Sequence, residues 1–324
     1  MKKWKQAVLV ASLGVLLFGC VMGQAQSLRK VNASETTTVS EDTEEESLAF
    51  TKTKKKLKVG KSYKFKVNKS GATFSVSNKK LAKISKSGKL TAKNYGTVKV
   101  IAKVGDEKVT YKVKILPIAT VGIDPGHQSK GNNGKEPVGP GSSTMKTKVA
   151  GGTSGVSSKK AEYQLTMEVA NVLKAELKSR GYKVVMTRSS NDVDISNKER
   201  AELLNEKCDI AIRLHADGAS SSSVSGASAL YPSTSNPYVG YLSDKSKTLS
   251  ECVLNSYCSA TGIRNRGLSQ RDDLTGTNWS TIPVTLIEMG FMTNSSDDLY
   301  MANSDNQQAM AEGIADGVDA YYGR

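Results

Sequence analysis

Two histidines, His127 and His215, occur in the 324 residues, and each closes a short apolar run, VGIDPGH at 121–127 and DIAIRLH at 209–215. Imidazole is the commonest protein metal ligand and a frequent acid/base group. Residues at the carboxyl ends of strands in an open α/β sheet line the ligand crevice. A single histidine beside an apolar run usually serves packing; two at equivalent positions, with acids nearby, point to one shared site. Two histidines and one carboxylate are a recurrent catalytic zinc set that leaves a fourth position for water. Zinc lowers the pKa of that water and polarises a carbonyl, so amide hydrolysis becomes feasible without a protein nucleophile. A second carboxylate must then take the proton of the water and hand it to the leaving amine. The candidate acids are Asp124, Glu162, Glu168, Asp217 and Glu288.

Spacing narrows this choice only in part. Asp124 lies three residues before His127 across a Pro-Gly turn, where it can hold the turn through backbone amides. Glu168 falls beside the apolar face of a helix and points off it, toward solvent. Asp217 can orient His215 or cap a loop. Glu288, flanked by Ile287, Met289 and Phe291, is costly to bury without a task. Spacing does not separate Glu162 from the neighbouring acids.

The elements that must position these groups alternate between strand and helix from residue 118 onward, which predicts an α/β sheet. Short buried strands are predicted at 121–124, 183–188, 209–214 and 284–287. Helices are predicted at 162–180, from 197 onward behind the capping box Ser196-Asn197-Lys198-Glu199, at 242–261 and at 307–322. Residues 128–160 read as a long loop rich in Gly, Ser and Lys. His127, His215 and Glu288 thus arrive at strand ends and Glu162 at a helix start. Other chemistries lack their signatures: no G-x-S-x-G elbow follows a strand, and GNNGKEPVGPG has no GK[ST] ending. Cys208, Cys252 and Cys258 form an odd set without C-x-x-C spacing, so they read as small, partly buried hydrophobes rather than disulfide or zinc ligands.

The amino-terminal part is organised by charge. Residues 1–25 have a basic start, an apolar core too short for a membrane span and small residues before a cleavage site, as in a secretory signal; acylation of Cys20, as in a lipoprotein, is the alternative. Residues 26–50 are an acidic, Ser/Thr-rich stretch with too little apolar surface to order itself, and read as a linker. Residues 51–116 contain twenty lysines, no arginine and only Asp106 and Glu107 as acids, about +18 against +15 for the whole chain. Their period-two alternation predicts a small all-β sandwich with lysines on its outer faces. An exported lysine surface seeks polyanions. The absence of arginine for bidentate recognition argues against nucleic acid and leaves anionic cell-wall polymers.

Two resemblances follow from these residues. In the basic module, Ser77-Asn78, Ala82, Ile84-Ser85, Gly88, Leu90-Thr91-Ala92 and Gly96-Thr97 resemble in order the pattern of group 2 bacterial immunoglobulin-like domains. Downstream, IDPGH at 123–127, the helix start at Glu162, GYKVVMTR at 181–188, RLHAD at 213–217 and PVTLIEMGFMTN at 283–294 look like the zinc-dependent N-acetylmuramoyl-L-alanine amidases. That resemblance implies a catalytic domain over residues 117–324 with a mixed sheet flanked by helices. It also implies zinc held by His127, Glu162 and His215, Glu288 as catalytic acid/base, and peptidoglycan as substrate, cut between the lactyl group of N-acetylmuramic acid and L-alanine of the stem peptide. Two residues depart from the usual pattern, Arg213 where a small residue is usual and Asp217 where asparagine is common, and the loop at 128–160 is long. The expectation is a secreted, wall-associated enzyme without a stable membrane span; a zinc peptidase acting within the stem peptide, or a non-catalytic wall-binding protein, are the alternatives.

Overall fold

The computed structural model describes residues 46–324. The signal segment, Cys20 and all but the last residues of the 26–50 stretch lie outside the described residues. Residues 47–324 form one compact unit. Its order begins slightly earlier than composition suggests, because Leu48 is buried and Phe50 already packs edge-on against Phe65 and Tyr111.

The basic part consists of β1 (Phe50–Lys52), β2 (Lys56–Lys58), β3 (Ser62–Lys64), β4 (Lys66–Val67), β5 (Thr73–Val76), β6 (Ala82–Ile84), β7 (Lys89–Ala92), β8 (Gly96–Val104) and β9 (Glu107–Leu116). They form a four-stranded sheet in the order β2-β9-β8-β5, a three-stranded sheet in the order β3-β7-β6, and the pair β1-β4. Alternation decides which side chains meet: Val98, Val100, Val113 and Ile115 enter a core with Phe65 and Leu90, while the lysines between them face outward. Register then sets Lys99 opposite Lys112, Lys103 opposite Lys108, and Lys56 opposite Lys114. Like charges placed directly across a sheet oppose its formation, so the apolar side must carry this module.

The second part contains β10 (Thr120–Pro125), β11 (Asn132–Pro137), β12 (Met145–Val149), α1 (Glu162–Ser179), β13 (Lys183–Met186), α2 (Asn197–Lys207), β14 (Ile210–Asp217), β15 (Ala227–Tyr231), α3 (Ser243–Thr261), β16 (Asn265–Gln270), α4 (Thr275–Asn278), β17 (Val284–Phe291), α5 (Ser295–Ala302) and α6 (Ser304–Tyr321). Six strands form one sheet in the order β13-β10-β14-β17-β15-β16, parallel except where β15 runs against β17. This is an α/β domain with a mixed sheet and flanking helices. The two sheet faces differ. Ile210, Ile212, Leu214 and Ala216 of β14, with Ile287 and Met289 of β17, join the large core under α1, α3 and α6. On the opposite face Ala211 and Val284 pack with Leu204 of α2. Strand parity therefore sends Arg213, His215, Asp217 and Glu288 to the same face as α2.

Local signals explain the helix ends. Ser196 and Glu199 form the reciprocal capping box at α2, and α3 stops at Gly262 with φ 72°. The stretch at 128–160 is not a structureless loop: β11 and β12 pair as an antiparallel hairpin, and Ser154 bridges Ala161. Its Gly and Lys content hid this pairing because the hairpin is mostly polar and carries no apolar alternation. Strands β15 and β16 likewise escaped sequence reading. Cys208, Cys252 and Cys258 are free and partly buried; burial pushes the Cys208 and Cys258 thiols up to about 11, so they are inert as nucleophiles. No helix among the described residues is long and apolar enough to cross a membrane.

Candidate active site

The Asp-Pro-Gly-His turn after β10 is held by guanidinium groups. Arg188 donates from Nε to the Pro125 carbonyl at 2.9 Å and from Nη2 to the Gly126 carbonyl at 3.0 Å. Arg200 donates to the Pro125 and His127 carbonyls at 2.8 and 2.9 Å. These bonds hold His127 at φ 59°, a left-handed backbone conformation that non-glycine residues adopt only under compulsion. Gly126 is equally constrained: a Cβ there would lie 2.4 Å from the His215 ring.

Asp124 is the anchor beneath this turn. It is 1% exposed, pairs with Arg200 at 3.0 Å and Arg213 at 2.9 Å, and accepts from Thr187 at 2.6 Å. Burial alone would raise its pKa, but the two guanidiniums and the hydroxyl hold the carboxyl well below the usual carboxylate range. Its role is structural, as its spacing suggested, but through arginine side chains rather than turn amides. Nothing in the sequence marks Arg188 and Arg200 for this place, because a lone arginine in a loop or helix carries no mark of burial.

Above the turn, His127, Glu162 and His215 meet. Glu162 Oε1 lies 3.1 Å from His127 Nε2 and 3.0 Å from His215 Nδ1. The same carboxylate accepts from the Ala216 and Thr153 amides at 3.1 and 3.0 Å. Glu162 can reach them because it opens α1 behind the hairpin, with its backbone amide tied to the Thr153 carbonyl at 2.9 Å. Burial raises the Glu162 pKa, yet the two imidazoles hold it well below the usual range. Burial works to lower both histidines; Glu162 and the Ala150 carbonyl turn His127 upward, whereas His215, also facing His127, stays lowered.

The donor chemistry fits a divalent cation. His127 Nδ1 lies 2.8 Å from the Ala150 carbonyl, which can only accept, so Nδ1 carries a proton and Nε2, the nitrogen facing Glu162, is the one left to offer a lone pair to a cation. Such outer hydrogen bonds fix the tautomer of metal-binding histidines. His215 Nε2 is buried without a partner among the described residues. One donor atom from each of the three residues lies within 4.8 Å of the others, and a neutral nitrogen, nitrogen and carboxylate set suits zinc.

Glu288 stands next to the trio. Parallel pairing sets it beside His215 across β14 and β17, and its Oε2 is buried without a partner among the described residues. Burial and the nearby Glu162 and Asp217 carboxylates push it well above the ordinary carboxylate range, against the pull of Arg271 and Arg213. Asp217 lines the same cavity but accepts from the Gly218 amide at 2.8 Å, a loop bond rather than a bond to His215. Glu168 pairs with Lys160 and accepts from Gln307, outside the site. The structure therefore gathers His127, Glu162, His215 and Glu288 around one cavity of about 550 Å³ and assigns Asp124 and Glu168 to other contacts.

An open α/β sheet whose strand ends carry a cation-competent trio beside a carboxylate with a buried oxygen defines a hydrolase-like catalytic domain. Residues 121–320 match the N-acetylmuramoyl-L-alanine amidase family, and the chain belongs to it. Among curated relatives, the probable cell wall amidase LytH of Staphylococcus epidermidis is 29% identical over 172 residues, 53% of this chain and 54% of its own length. The N-acetylmuramoyl-L-alanine amidase Rv3717 of Mycobacterium tuberculosis is 28% identical over 210 residues, 61% of this chain and 84% of its own. The solved structure of the N-acetylmuramyl-L-alanine amidase Ami1 from Mycobacterium smegmatis has a TM-score of 0.57 at 25% identity, covering 63% of this chain and 96% of that one. The chain spans about half the length of the LytH relatives it matches.

Proposed function

We propose that this protein hydrolyses the amide between the lactyl group of N-acetylmuramic acid and L-alanine of the peptidoglycan stem peptide, with zinc held by His127, Glu162 and His215. The observation that carries the reading is the convergence of both imidazoles on one Glu162 oxygen, beside a Glu288 whose Oε2 is buried without a partner among the described residues. Zinc bound there would lower the pKa of water and polarise the scissile carbonyl. Glu288 takes the proton of the attacking water and passes it to the departing alanine amine. Burial and the neighbouring carboxylates raise its pKa, the direction in which a carboxylate becomes a better proton acceptor. Arg188, Arg200 and Asp124 hold the turn that presents His127.

The amino-terminal module is proposed to be an immunoglobulin-like sandwich spanning 51–116. Its ordered sequence pattern and its two sheets around an apolar core support that reading. Its outward lysines are proposed to hold the enzyme on anionic cell-wall polymers after export directed by residues 1–25, with lipid anchoring at Cys20 as the alternative route. The test is end-group analysis of digested peptidoglycan: new L-alanine amino termini are expected, and any other new end would overturn the reading. Glu288→Gln is expected to keep bound zinc while losing about 10²–10⁴-fold in turnover; undiminished cleavage removes Glu288 from its role.

A further inference from the structure

Beside the trio, a groove of about 480 Å³ runs from His215 past Arg213, Leu286 and Gly276 to Lys135 and Lys146 of the hairpin. Its charge is unbalanced. The single carboxylate in its lining, Asp273, is already shared between Lys146 at 2.9 Å and Arg271 at 2.8 Å. Among the described residues Lys135 bonds only the Thr147 hydroxyl, at 2.9 Å, which leaves two of its three donors for a ligand.

Arg213 forms part of the floor. Its side chain is 6% exposed; Nε is committed to Asp124 at 2.9 Å and Nη2 to Asn197 Oδ1 at 2.6 Å. Nη1 has no partner among the described residues, although it is not sealed from solvent. A Cβ at position 276 would lie 2.0 Å from Nη1, so only glycine leaves the guanidinium this place. A nearly buried guanidinium with two bonds pinned and one edge open to a cationic groove is preorganised for an anionic oxygen.

We propose that this groove is a carboxylate subsite, in which Arg213 Nη1 and Lys135 Nζ receive the carboxylate of the stem-peptide residue that follows L-alanine. The inference rests on the amidase reading and adds a direction to it. The lactyl carboxyl is consumed in the scissile amide and the sugars are neutral, so carboxylates lie only on the peptide side. The stem peptide therefore runs toward the hairpin, and the glycan toward the Asp217 and Gly218 side of the cavity.

The test uses two synthetic probes: lactyl-L-alanyl-D-glutamate capped as a methylamide at its γ-carboxyl, and the same compound with its α-carboxylate converted to a carboxamide. Binding to the zinc-loaded full chain carrying Glu288→Gln is measured by calorimetry. The carboxylate probe is expected to bind about 10-fold or more tightly than the carboxamide, the scale of a charge-assisted hydrogen bond. Lys135→Met and Arg213→Gln are expected to reduce that preference to about threefold or less. Lys135 is exposed and its replacement leaves the fold intact, so the test stands if Arg213→Gln fails to fold. Equal affinity for the two probes, or an unchanged preference in Lys135→Met, overturns the subsite. Carboxylate preference in an enzyme with Glu288 intact that never cuts the lactyl–alanine amide would instead overturn the amidase reading and leave the subsite standing.

Discussion

The two parts of the folded chain treat charge in opposite ways. The strand module leaves its lysines on the surface, several of them directly opposite one another across β8 and β9, and its apolar core bears the cost. The α/β domain buries several of its charges and pairs two carboxylates individually: Asp124 between Arg200 and Arg213, and Glu162 between two imidazoles and two amides. Exposed charge acts at a distance and is screened by salt. Buried charge acts through geometry and is scarcely screened. Under the proposed function, the difference separates holding a polymer from positioning a reaction.

The comparison breaks most sharply at Asp124. Asp124→Asn leaves two buried guanidiniums without their counter-charge, and a loss of about 3–5 kcal/mol is expected in urea unfolding. Because the folded-state pKa of Asp124 is depressed, its contribution is complete above the unfolded value near 3.9 and is lost as pH falls below that value toward the folded one. The acid limb of the stability profile should therefore be shallower in Asp124→Asn than in the parent. Equal slopes below about pH 4 would show that the guanidiniums do not depend on this carboxylate.

A smaller effect, confined to the site, is expected at Gly126. A methyl group there meets the His215 ring, and a displacement of about 1 Å in a catalytic group costs on the order of 100-fold in rate. Gly126→Ala should lose that much turnover and weaken zinc retention in a chelator competition. The smallest effect tests the other half of the comparison. Lys99→Glu converts the cross-strand pair with Lys112 from repulsive to attractive, so a gain of about 0.2–1 kcal/mol in stability is expected. The same change should lower the salt concentration at which the protein leaves purified cell walls; retention that ignores both salt and Lys99→Glu would exclude an electrostatic hold.

The sequence made the strand ends legible because His127, His215 and Glu288 each interrupt an apolar run, and an interruption at that place has few purposes. Glu162 was legible only through family resemblance. Its carboxylate reaches the histidines because the hairpin turns the chain back before α1, and nothing in Gly- and Lys-rich spacing announces a pairing that buries so little. The β16 strand was hidden for a related reason: it is largely polar and lies along one edge of the sheet. Arg213 was visible as a departure, yet its meaning depends on Asp124, Asn197 and Gly276, which lie far from it in the chain and adjoin it only in the fold.

That contact between Gly276 and the Arg213 guanidinium also has an evolutionary consequence. The guanidinium is fixed by two other bonds and cannot swing aside, so position 276 is not free while arginine occupies 213. A lineage that acquired arginine first would have met a steric barrier, whereas glycine at 276 is permissive beforehand. The order of the two changes is thereby constrained: in ancestors along this branch, glycine at 276 is expected to precede arginine at 213. Descendants that revert 213 to a small residue would release 276 to drift.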